Sequence, residues 1–342
     1  MKSFLENGLH FVSHGRLSFL PLFFVWFFYS CQNDSRPISF SGEIQGTYYQ
    51  IKYYDKQKRN LQTSIDSILH QFDLTASLWV KNSLISRINN NDTGVCVNAD
   101  FIKLFEESER IYRLTNGAFD PSIGAIINLW GFGSHKPQGA DKEWIDSLKQ
   151  FSKFENLKLI GNRIHKNDMR VQFDFNAIAQ GYSVDLVGAY LYSQGIHNFL
   201  IDIGGELLAS GYKSQHQPWV IGIEKPQEDA LYGKALQTKV TLHNKAIATS
   251  GSYRKYYEKN GVKYSHTIDP KTGFPVTHHL LSASVIAPDC TSADAIATAL
   301  MVMGTDKAIA FTKQHPEYQV FLISDDENGG YSVFSTIGAA EN

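Results

Sequence analysis

The sequence predicts an α+β protein in which mainly antiparallel sheets pack against helices. Two patterns support this prediction. Runs of β-forming residues follow one another across hairpin-length loops, and segments with apolar residues at helical spacing are placed between them. The chain of 342 residues is 43% hydrophobic, which is ordinary for a globular protein with a substantial core. It contains no repeat of fixed short period and no low-complexity tract, so a solenoid is excluded.

The first part of the chain alternates strand and helix signals. Residues 44–54 are rich in β-forming residues and predict a strand, and residues 61–72 carry an apolar stripe at helical spacing. Residues 83–91 have the composition of a loop. Asp100 is placed to cap a second helix, which residues 115–117 would end because Asn and Gly favour the left-handed conformation.

The second part predicts further strand pairs and helices. Residues 156–175 predict a β-meander, and a helix follows over residues 177–193 with Gly195 just past its end. The remaining predicted elements are strands at 198–206 (with a Gly-Gly turn), 219–223, 236–242 and 319–323, and helices at 293–303 and 306–314.

The segment from Ser250 to Val276 holds a histidine and a carboxylate at the mouth of a turn. Residues 264–270 predict a short strand that runs into a Pro- and Gly-containing turn. His266 and Asp269 are therefore placed where a substrate can reach them, and histidine suits proton transfer near neutral pH. Alternatively, the two side chains only stabilise the loop.

A glycine-rich stretch with large aromatic residues indicates close approach of backbone to a ligand. Residues 117–124 and 129–133 combine glycines with aromatic rings that would form walls. Asn128 and Trp130 would equally serve to fasten a loop against the core.

Asp294 and Thr298 lie one turn apart on a predicted helix, so their side chains face the same way. A carboxylate and a hydroxyl are hard oxygen donors, which suit Mg²⁺ together with substrate phosphates and do not suit zinc or copper. The alternative is that Asp294 only interacts favourably with the helix dipole.

Asp174 stands at a predicted strand-to-helix junction, in the stretch from Asp174 to Gly181. Such junctions bring a carboxylate and free backbone groups to one edge, where polar parts of ligands commonly bind. A local turn capped by the aspartate is the alternative interpretation.

The near-neutral charge balance argues against nucleic acid as a partner. The chain has 32 basic and 34 acidic side chains, with a formal net charge of −2, and no dense run of Lys and Arg. Cys96 and Cys290 lie outside any CxxC or Cys/His pattern. We therefore expect no zinc site and interpret both as inert thiols.

The N-terminus has the features of an export signal. Lys2 and Arg16 supply positive charge, and the apolar run over residues 17–29 has the length of a signal-peptide core, too short for a comfortable transmembrane helix. Ser30 and Cys31 follow, and this order of small residue, cysteine and polar segment resembles a bacterial lipoprotein cleavage site.

This organisation predicts a signal peptide over residues 1–30, a polar tether over residues 31–41 and a single domain over residues 42–342. Lipid on Cys31 would anchor the protein to a bacterial membrane in the cell envelope, facing the periplasm or the exterior. The alternative is an apolar anchor that stays uncleaved.

Several segments together resemble the ApbE family of FAD:protein FMN transferases. The resemblance runs from about Gly42 to Gly304 in the family's order. The motifs that carry it are Thr115–Pro121 with Trp130–Gly133, Asp174–Gly181 with Asp185, Asp202–Glu206, Ser250–Pro275, and Ala293–Thr298.

The resemblance implies an architecture related to the T-fold and an enzyme that uses FAD as substrate and Mg²⁺ as cofactor. A threonine hydroxyl in an acceptor segment of a flavin-carrying redox protein would attack the FMN phosphorus. AMP would leave, and FMN would remain attached through a phosphoester. The acceptors would be exported or membrane redox proteins.

The resemblance also implies roles for individual residues. His266 would be the base, and an imidazole has an evident task because a threonine hydroxyl is weakly nucleophilic. The metal ligands would be Asp294, Thr298 and the backbone carbonyl of Ala177. The residues that would contact FAD are Gln45, Trp79, Ala118, Phe119, Asp120, Asp174, Gln180 and the backbone at Ile268. Gln45 and Gln180 stand where the family usually has Met and Lys.

Two other functions fit the same residues. If water attacks in place of a protein hydroxyl, the protein is a Mg²⁺-dependent FAD pyrophosphatase that yields FMN and AMP. A non-catalytic, lipid-anchored flavin-binding protein would bind FAD and leave it unchanged. The two enzymatic functions need the Mg²⁺ ligands, which come from two remote parts of the chain, to lie within reach of the His266 imidazole across the dinucleotide. In the third, His266, Asp294 and Thr298 would be incidental.

Overall fold

The computed structural model describes residues 36–133, 141–213, 217–226, 236–252, 256–259, 262–326 and 330–338. The predicted signal peptide and Cys31 lie outside these residues. The first described strand begins at Ile38, so the last part of the segment predicted as a tether is strand. No helix in the described part of the chain is long and apolar enough to cross a membrane.

Strands make up the centre of the fold, and fourteen are found in the described residues. They are β1 Ile38–Ile44, β2 Thr47–Tyr53, β3 Leu157–Ile160, β4 Arg163–Lys166, β5 Phe199–Ile203, β6 Glu206–Ser210, β7 Trp219–Glu224, β8 Leu236–Leu242, β9 Lys245–Gly251, β10 Tyr256–Lys259, β11 Val262–Ser265, β12 Leu280–Ala287, β13 Gln319–Asp325 and β14 Tyr331–Ser335.

Helices connect these strands and cover one side of them. In the same described ranges they are α1 Gln62–Ala76, α2 Leu84–Asn89, α3 Ala99–Leu114, α4 Gly124–Trp130, α5 Lys142–Lys149, α6 Ala179–Ser193, α7 Cys290–Met303 and α8 Thr305–Gln314.

An eight-stranded sheet has the order β1-β2-β5-β6-β9-β12-β13-β14, and every neighbouring pair in it is antiparallel. Three two-stranded sheets accompany it: β3-β4, β7-β8 and β10-β11. Mixed helices and antiparallel strands confirm the predicted α+β class.

The two faces of the large sheet are covered differently. Alternate residues such as Ile201 and Ala248 face the helices and belong to the main core, which includes Leu300 of α7. The opposite face packs under the β7-β8 hairpin, with Trp219 and Ile247 in a second apolar cluster. Because side chains alternate along a strand, neighbouring residues of β9 serve different faces.

Four details differ from the sequence predictions in the first 175 residues. The strand predicted over residues 44–54 is the second half of a hairpin, since Gln45 and Gly46 adopt positive φ between β1 and β2. Residues 84–89 form a short helix, because Ser83 accepts the N–H of Ser86 and caps it. A loop was predicted there from composition alone.

The other two differences concern a cap and a meander. Asn98, rather than Asp100, caps α3 by accepting the N–H of Phe101 at 2.9 Å. The meander predicted over residues 156–175 is only the β3-β4 hairpin. Residues 171–175 form no strand, because their backbone makes a single bridge to Ile123 and then turns into α6.

Candidate functional site

The predicted metal ligands lie where α6 crosses α7. Asp294 is buried on α7, and its Oδ2 accepts the backbone N–H of Gly181 on α6 at 3.0 Å. A Cβ on Gly181 would lie 2.3 Å from the carbonyl oxygen of Cys290 and 2.8 Å from the Cβ of Asp294. The two helices can therefore approach this closely only with glycine at position 181.

The same hydrogen bond satisfies a backbone donor at the start of α6. The helix begins at Ala179, so the N–H of Gly181 lies in its first turn and has no partner within the helix. Here it donates to Asp294, while the N–H groups of Ile178 and Ala179 both donate to the carbonyl of Phe175. Ala177 precedes the helix, and its carbonyl accepts no hydrogen bond from the described residues.

These oxygens fit a hard cation. Asp294 Oδ1 accepts no hydrogen bond from the residues that the structure describes, and Thr298 presents a partly exposed hydroxyl one turn further along α7. A carboxylate, a hydroxyl and a carbonyl are the oxygen donors that Mg²⁺ takes, with water and phosphate completing its coordination. Within the described ranges no three His, Cys, Asp or Glu side chains cluster around a possible metal position. The predicted Mg²⁺ ligands include only one side chain of these four types, that of Asp294.

Asp185 fixes the start of α7. Its carboxylate accepts the N–H of Cys290 at 2.9 Å, the N–H of Thr291 at 2.8 Å and the Thr291 hydroxyl at 2.6 Å. Asp289 caps the same helix by accepting the N–H of Ser292. Helix α6 thus holds α7 at two points one turn apart, through Gly181 and Asp185. These contacts determine where Asp294 stands.

Burial makes the acids at this crossing harder to ionise. Burial raises the pKa of Asp294 above its usual range, the Gly181 N–H opposes the shift, and the neighbouring Asp185 adds to it. Burial also raises the pKa of Asp185 to about 6, against the three hydrogen bonds that it accepts. A cation beside Asp294 would favour its charged form.

Backbone hydrogen bonds join the two loops that carry Asp120 and Asp174. The N–H of Asp174 donates to the carbonyl of Pro121 at 2.8 Å, and the N–H of Gly124 donates to the carbonyl of Gln172 at 3.0 Å. Each carboxylate also closes its own turn: Asp120 accepts the N–H and hydroxyl of Ser122, and Asp174 accepts the N–H of Asn176. The local-turn interpretation of Asp174 therefore holds alongside any ligand contact.

Both carboxyls have raised pKa values. Burial raises the pKa of Asp120 to about 7, although its bonds to Ser122 lower it. Burial raises the pKa of Asp174 to about 6, although the bonds from Asn176 lower it. Carboxyls of this kind are able to donate a hydrogen bond near neutral pH as well as accept one.

The His266 segment is fastened to the same loops. His266 follows β11 directly, is partly exposed, and has its ring 6.4 Å from that of Phe132. Ile268 is buried and bridges Pro275, which closes the turn. The indole N–H of Trp130 donates to the carbonyl of Gly273 at 2.9 Å, so this tryptophan does fasten a loop. Ile268 also packs in one apolar cluster with Ile123.

Asp269 has a different role from that of His266. Its carboxylate accepts the N–H of Lys271 at 2.8 Å, and its carbonyl accepts the N–H of Gly273 at 2.7 Å. Asp269 therefore stabilises the turn, as the alternative interpretation of the sequence expects, whereas His266 stays at the mouth of this turn.

The remaining predicted flavin contacts fall into two groups. Gln180 lies in the first turn of α6, and Gln45 lies beside this helix. Ser183 Oγ is 3.4 Å from Gln45 Oε1 and donates to the carbonyl of Gln180 at 2.7 Å. Gln180 Nε2 also donates to the carbonyl of Ile203 at 2.9 Å, next to the Gly204 turn.

The second group differs in exposure. Trp79 has 66% of its surface exposed, which leaves the indole open to stack on a ring. Ala118 and Phe119 are buried, and Phe119 belongs to the main core. For Phe119 only the backbone is therefore placed to meet a ligand.

Sequence reasoning assigned no role to Gly181, Asp185 or Ser250, although all three stand in the quoted motifs. A glycine in the first turn of a predicted helix was the available signal for Gly181, since glycine weakens a helix unless close packing requires it. Nothing local marked Asp185, because its partners are more than a hundred residues away.

These elements define a class: an α+β protein that combines carboxylate-bearing loops, an exposed indole and an oxygen-lined helix crossing. The chain belongs to the ApbE family, because the sequence model of this family matches residues 45–322. The match covers the large sheet from the β1-β2 turn to β13, together with all of the site described above.

Curated and solved relatives agree with this assignment. The FAD:protein FMN transferase of Haemophilus influenzae is 35% identical over 314 residues, covering 88% of this chain and 90% of the relative. The protein of the same name from Vibrio cholerae is 35% identical, covering 87% and 90%. The solved flavin transferase ApbE from Vibrio cholerae has a TM-score of 0.78 at 34% identity, covering 88% of this chain and 97% of that one. The apo form of the Pseudomonas stutzeri flavinyl transferase ApbE gives 0.78 at 32% identity, covering 88% and 95%.

Proposed function

We propose that this protein transfers FMN from FAD to a threonine hydroxyl of a target protein, with Mg²⁺ as cofactor and AMP as the second product. Its curated relatives are named for transfer of FMN from FAD to protein. The threonine acceptor and the dependence on Mg²⁺ are parts of the proposal that go beyond those names. The observation that carries the metal part is the hydrogen bond from Gly181 to Asp294. It leaves the second carboxylate oxygen of Asp294 for a cation, beside the start of α6, where the Ala177 carbonyl accepts no hydrogen bond from the described residues.

The residues divide the work by position. Asp294, Thr298 and the Ala177 carbonyl would hold Mg²⁺, which when bound neutralises negative charge on a pyrophosphate. Trp79 offers a stacking surface, and the Asp120 and Asp174 loops offer hydrogen-bonding groups to the polar parts of FAD. Positioning and charge neutralisation supply most of the catalysis in reactions of this kind.

His266 acts as the base in the proposed reaction. It takes the proton of the acceptor hydroxyl as that oxygen bonds to the FMN phosphorus, and the bond from this phosphorus to the AMP oxygen breaks. Partial exposure of His266 supports this role because the acceptor has to arrive from solvent. The turn that follows it is held by Trp130, so the imidazole stands on a supported segment.

Mass spectrometry of an acceptor domain tests the proposal. The protein is incubated with FAD, Mg²⁺ and a flavin-acceptor domain, and the acceptor mass is measured. Addition of one phosphoester-linked FMN, absent with EDTA and absent when the acceptor threonine is replaced by valine, supports it. Free FMN with an unmodified acceptor indicates the pyrophosphatase, and intact FAD indicates a binding protein.

The place of action is also a proposal. Residues 1–31 have the pattern of a lipoprotein signal, from which we infer a lipid anchor on Cys31 and a location in the cell envelope. Metabolic labelling with a fatty acid tests this inference. Label that is present in the natural chain and lost in Cys31→Ser supports it, and an unlabelled natural chain refutes it.

A further inference from the structure

A hydrogen bond outside the predicted ligand set joins α7 to the large sheet. Ser250 Oγ, near the end of β9, lies 3.0 Å from Thr298 Oγ1 on α7. Both side chains are partly exposed, whereas Ala248 and Ala297 beside them are completely buried. The pair therefore lies at the open end of a helix–sheet contact, where a ligand can reach it.

The usual hydrogen bond of a helical threonine is a different one. Thr115, at the end of α3, and Thr312, in α8, donate their hydroxyl protons to the carbonyl four residues earlier in the chain, at 2.8 and 2.9 Å. Thr298 has a hydrogen-bond partner outside its own helix, the hydroxyl of Ser250. This contact fixes the direction of its hydroxyl with respect to the sheet.

The direction of this bond matters if Thr298 binds a cation. Either hydroxyl of the pair is able to donate. A hydroxyl that ligates a metal does so through a lone pair, so its proton must point elsewhere. With a cation on Thr298 Oγ1, only the arrangement in which Thr298 donates and Ser250 accepts is compatible. Acceptors of this kind orient a ligand and make its oxygen more basic.

We propose that Ser250 is a positioning residue for the metal ligand Thr298. Its oxygen accepts the Thr298 proton and thereby turns a lone pair of Thr298 toward the cation. This inference rests on the proposed function, in which Thr298 binds Mg²⁺. Ser250 itself touches neither the metal nor the reacting atoms in this role.

The chain offers a matched control on the same strand. Thr249 Oγ1 makes a hydroxyl–hydroxyl bond of 2.7 Å with Ser284 of β12. Neighbouring side chains of a strand point to opposite faces, and Ile247 and Ile286, one pleat away, face the cluster under the β7-β8 hairpin. Thr249 therefore has the same kind of bond on the face away from α7.

Mn²⁺ binding to the full-length protein tests the proposal, with Mn²⁺ as a paramagnetic substitute for Mg²⁺. Free Mn²⁺ is measured by electron paramagnetic resonance with FAD present and acceptor absent. For Ser250→Ala we expect about 10-fold weaker binding or more, the size found for second-sphere partners. Ser250→Thr should stay close to the natural protein, and Thr249→Ala should equal it. FAD binding in EDTA, followed by flavin fluorescence, should be unchanged in all three.

The outcomes separate this inference from the proposed function. If Thr298→Ala loses Mn²⁺ and Ser250→Ala binds it normally, the inference is wrong and the metal site stands. If Thr298→Ala and Asp294→Ala both bind Mn²⁺ normally, the metal site itself is wrong and the inference falls with it. Should Ser250→Ala melt earlier than the natural protein, Ser250→Cys replaces it, since sulfur fills the same place but accepts poorly.

Discussion

Replacing Gly181 by alanine tests the helix crossing that holds the metal half of the site. The added Cβ would lie 2.3 Å from the Cys290 carbonyl oxygen, where ordinary contacts begin at 3.4 Å. The α6–α7 distance would therefore increase by about 1 Å, because the obstacle is backbone and cannot rotate away. The N–H of residue 181 would move away from Asp294 by a similar amount.

Two opposing terms give the size of the effect. Overpacking costs about 1–3 kcal/mol, and alanine regains about 1 kcal/mol of helix propensity relative to glycine. The net loss is about 0–2 kcal/mol, which corresponds to a melting temperature lower by up to about 3 °C for a domain of this size. Transfer should fall further, by about 100-fold, since a shift near 1 Å in a reacting assembly has that cost.

Gly188→Ala is the matched control on the same helix. Its Cβ would meet Leu208 Cδ2 at 2.6 Å, the end of a flexible side chain that can rotate aside. We expect a melting temperature and a transfer rate close to those of the natural protein. Differential scanning calorimetry and the acceptor-labelling assay measure both. A Gly181→Ala protein with unchanged melting and unchanged transfer would refute the argument that close approach of α6 and α7 builds the site.

Three further predictions follow from the site. His266→Ala should abolish transfer, measured by acceptor labelling, and leave FAD affinity, measured by flavin fluorescence, within about 3-fold. Replacement of the exposed His279 by alanine is the control. Full transfer activity in His266→Ala would exclude His266 as the base. Asp294→Ala should weaken Mn²⁺ binding and turnover together, and normal values in either assay would contradict its role as a ligand. Because burial raises the pKa of Asp174 to about 6 and that of Asp120 to about 7, the folded protein binds more protons than the unfolded chain. Without metal, resistance to urea should therefore fall as the pH rises from about 4 to about 7, with a shallower fall in Asp174→Asn; an equal slope in that variant would be inconsistent with the raised pKa.

Much of the fold could be predicted because its signals are local. The stripe over residues 61–72 and the propensity of residues 293–303 identified α1 and α7, and the Gly-Gly turn identified the β5-β6 hairpin. The errors arose where tertiary contacts decide. Residues 171–175 have the composition of a strand, yet they are fixed by the adjoining loop through Pro121 and Gly124.

The site was predictable in part and for a different reason. Residue types and the family resemblance pointed to Asp294, Thr298 and Ala177, but they gave no reason why a carbonyl at the start of a helix should be available. The carbonyl of Ala177 is available because α6 begins only at Ala179, and the bond from the Gly181 N–H to Asp294, between residues far apart in sequence, brings this start of the helix beside the carboxylate. Pattern analysis of either segment alone does not contain it. The role proposed for Ser250 could not be predicted from the sequence for the same reason, since its partner Thr298 is also far away in the chain.

The order in which the chain is synthesised gives the helix crossing a further consequence. Gly181 and Asp294 are 113 positions apart, so a growing chain that has completed α6 still lacks α7 and the carboxylate. A chain truncated before α7 would contain Trp79, Asp120 and Asp174 but would have no oxygen-lined crossing. Binding of a cation at that crossing would therefore distinguish complete chains from truncated ones. A measurement of cation binding is enough for this, without an assay of flavin transfer.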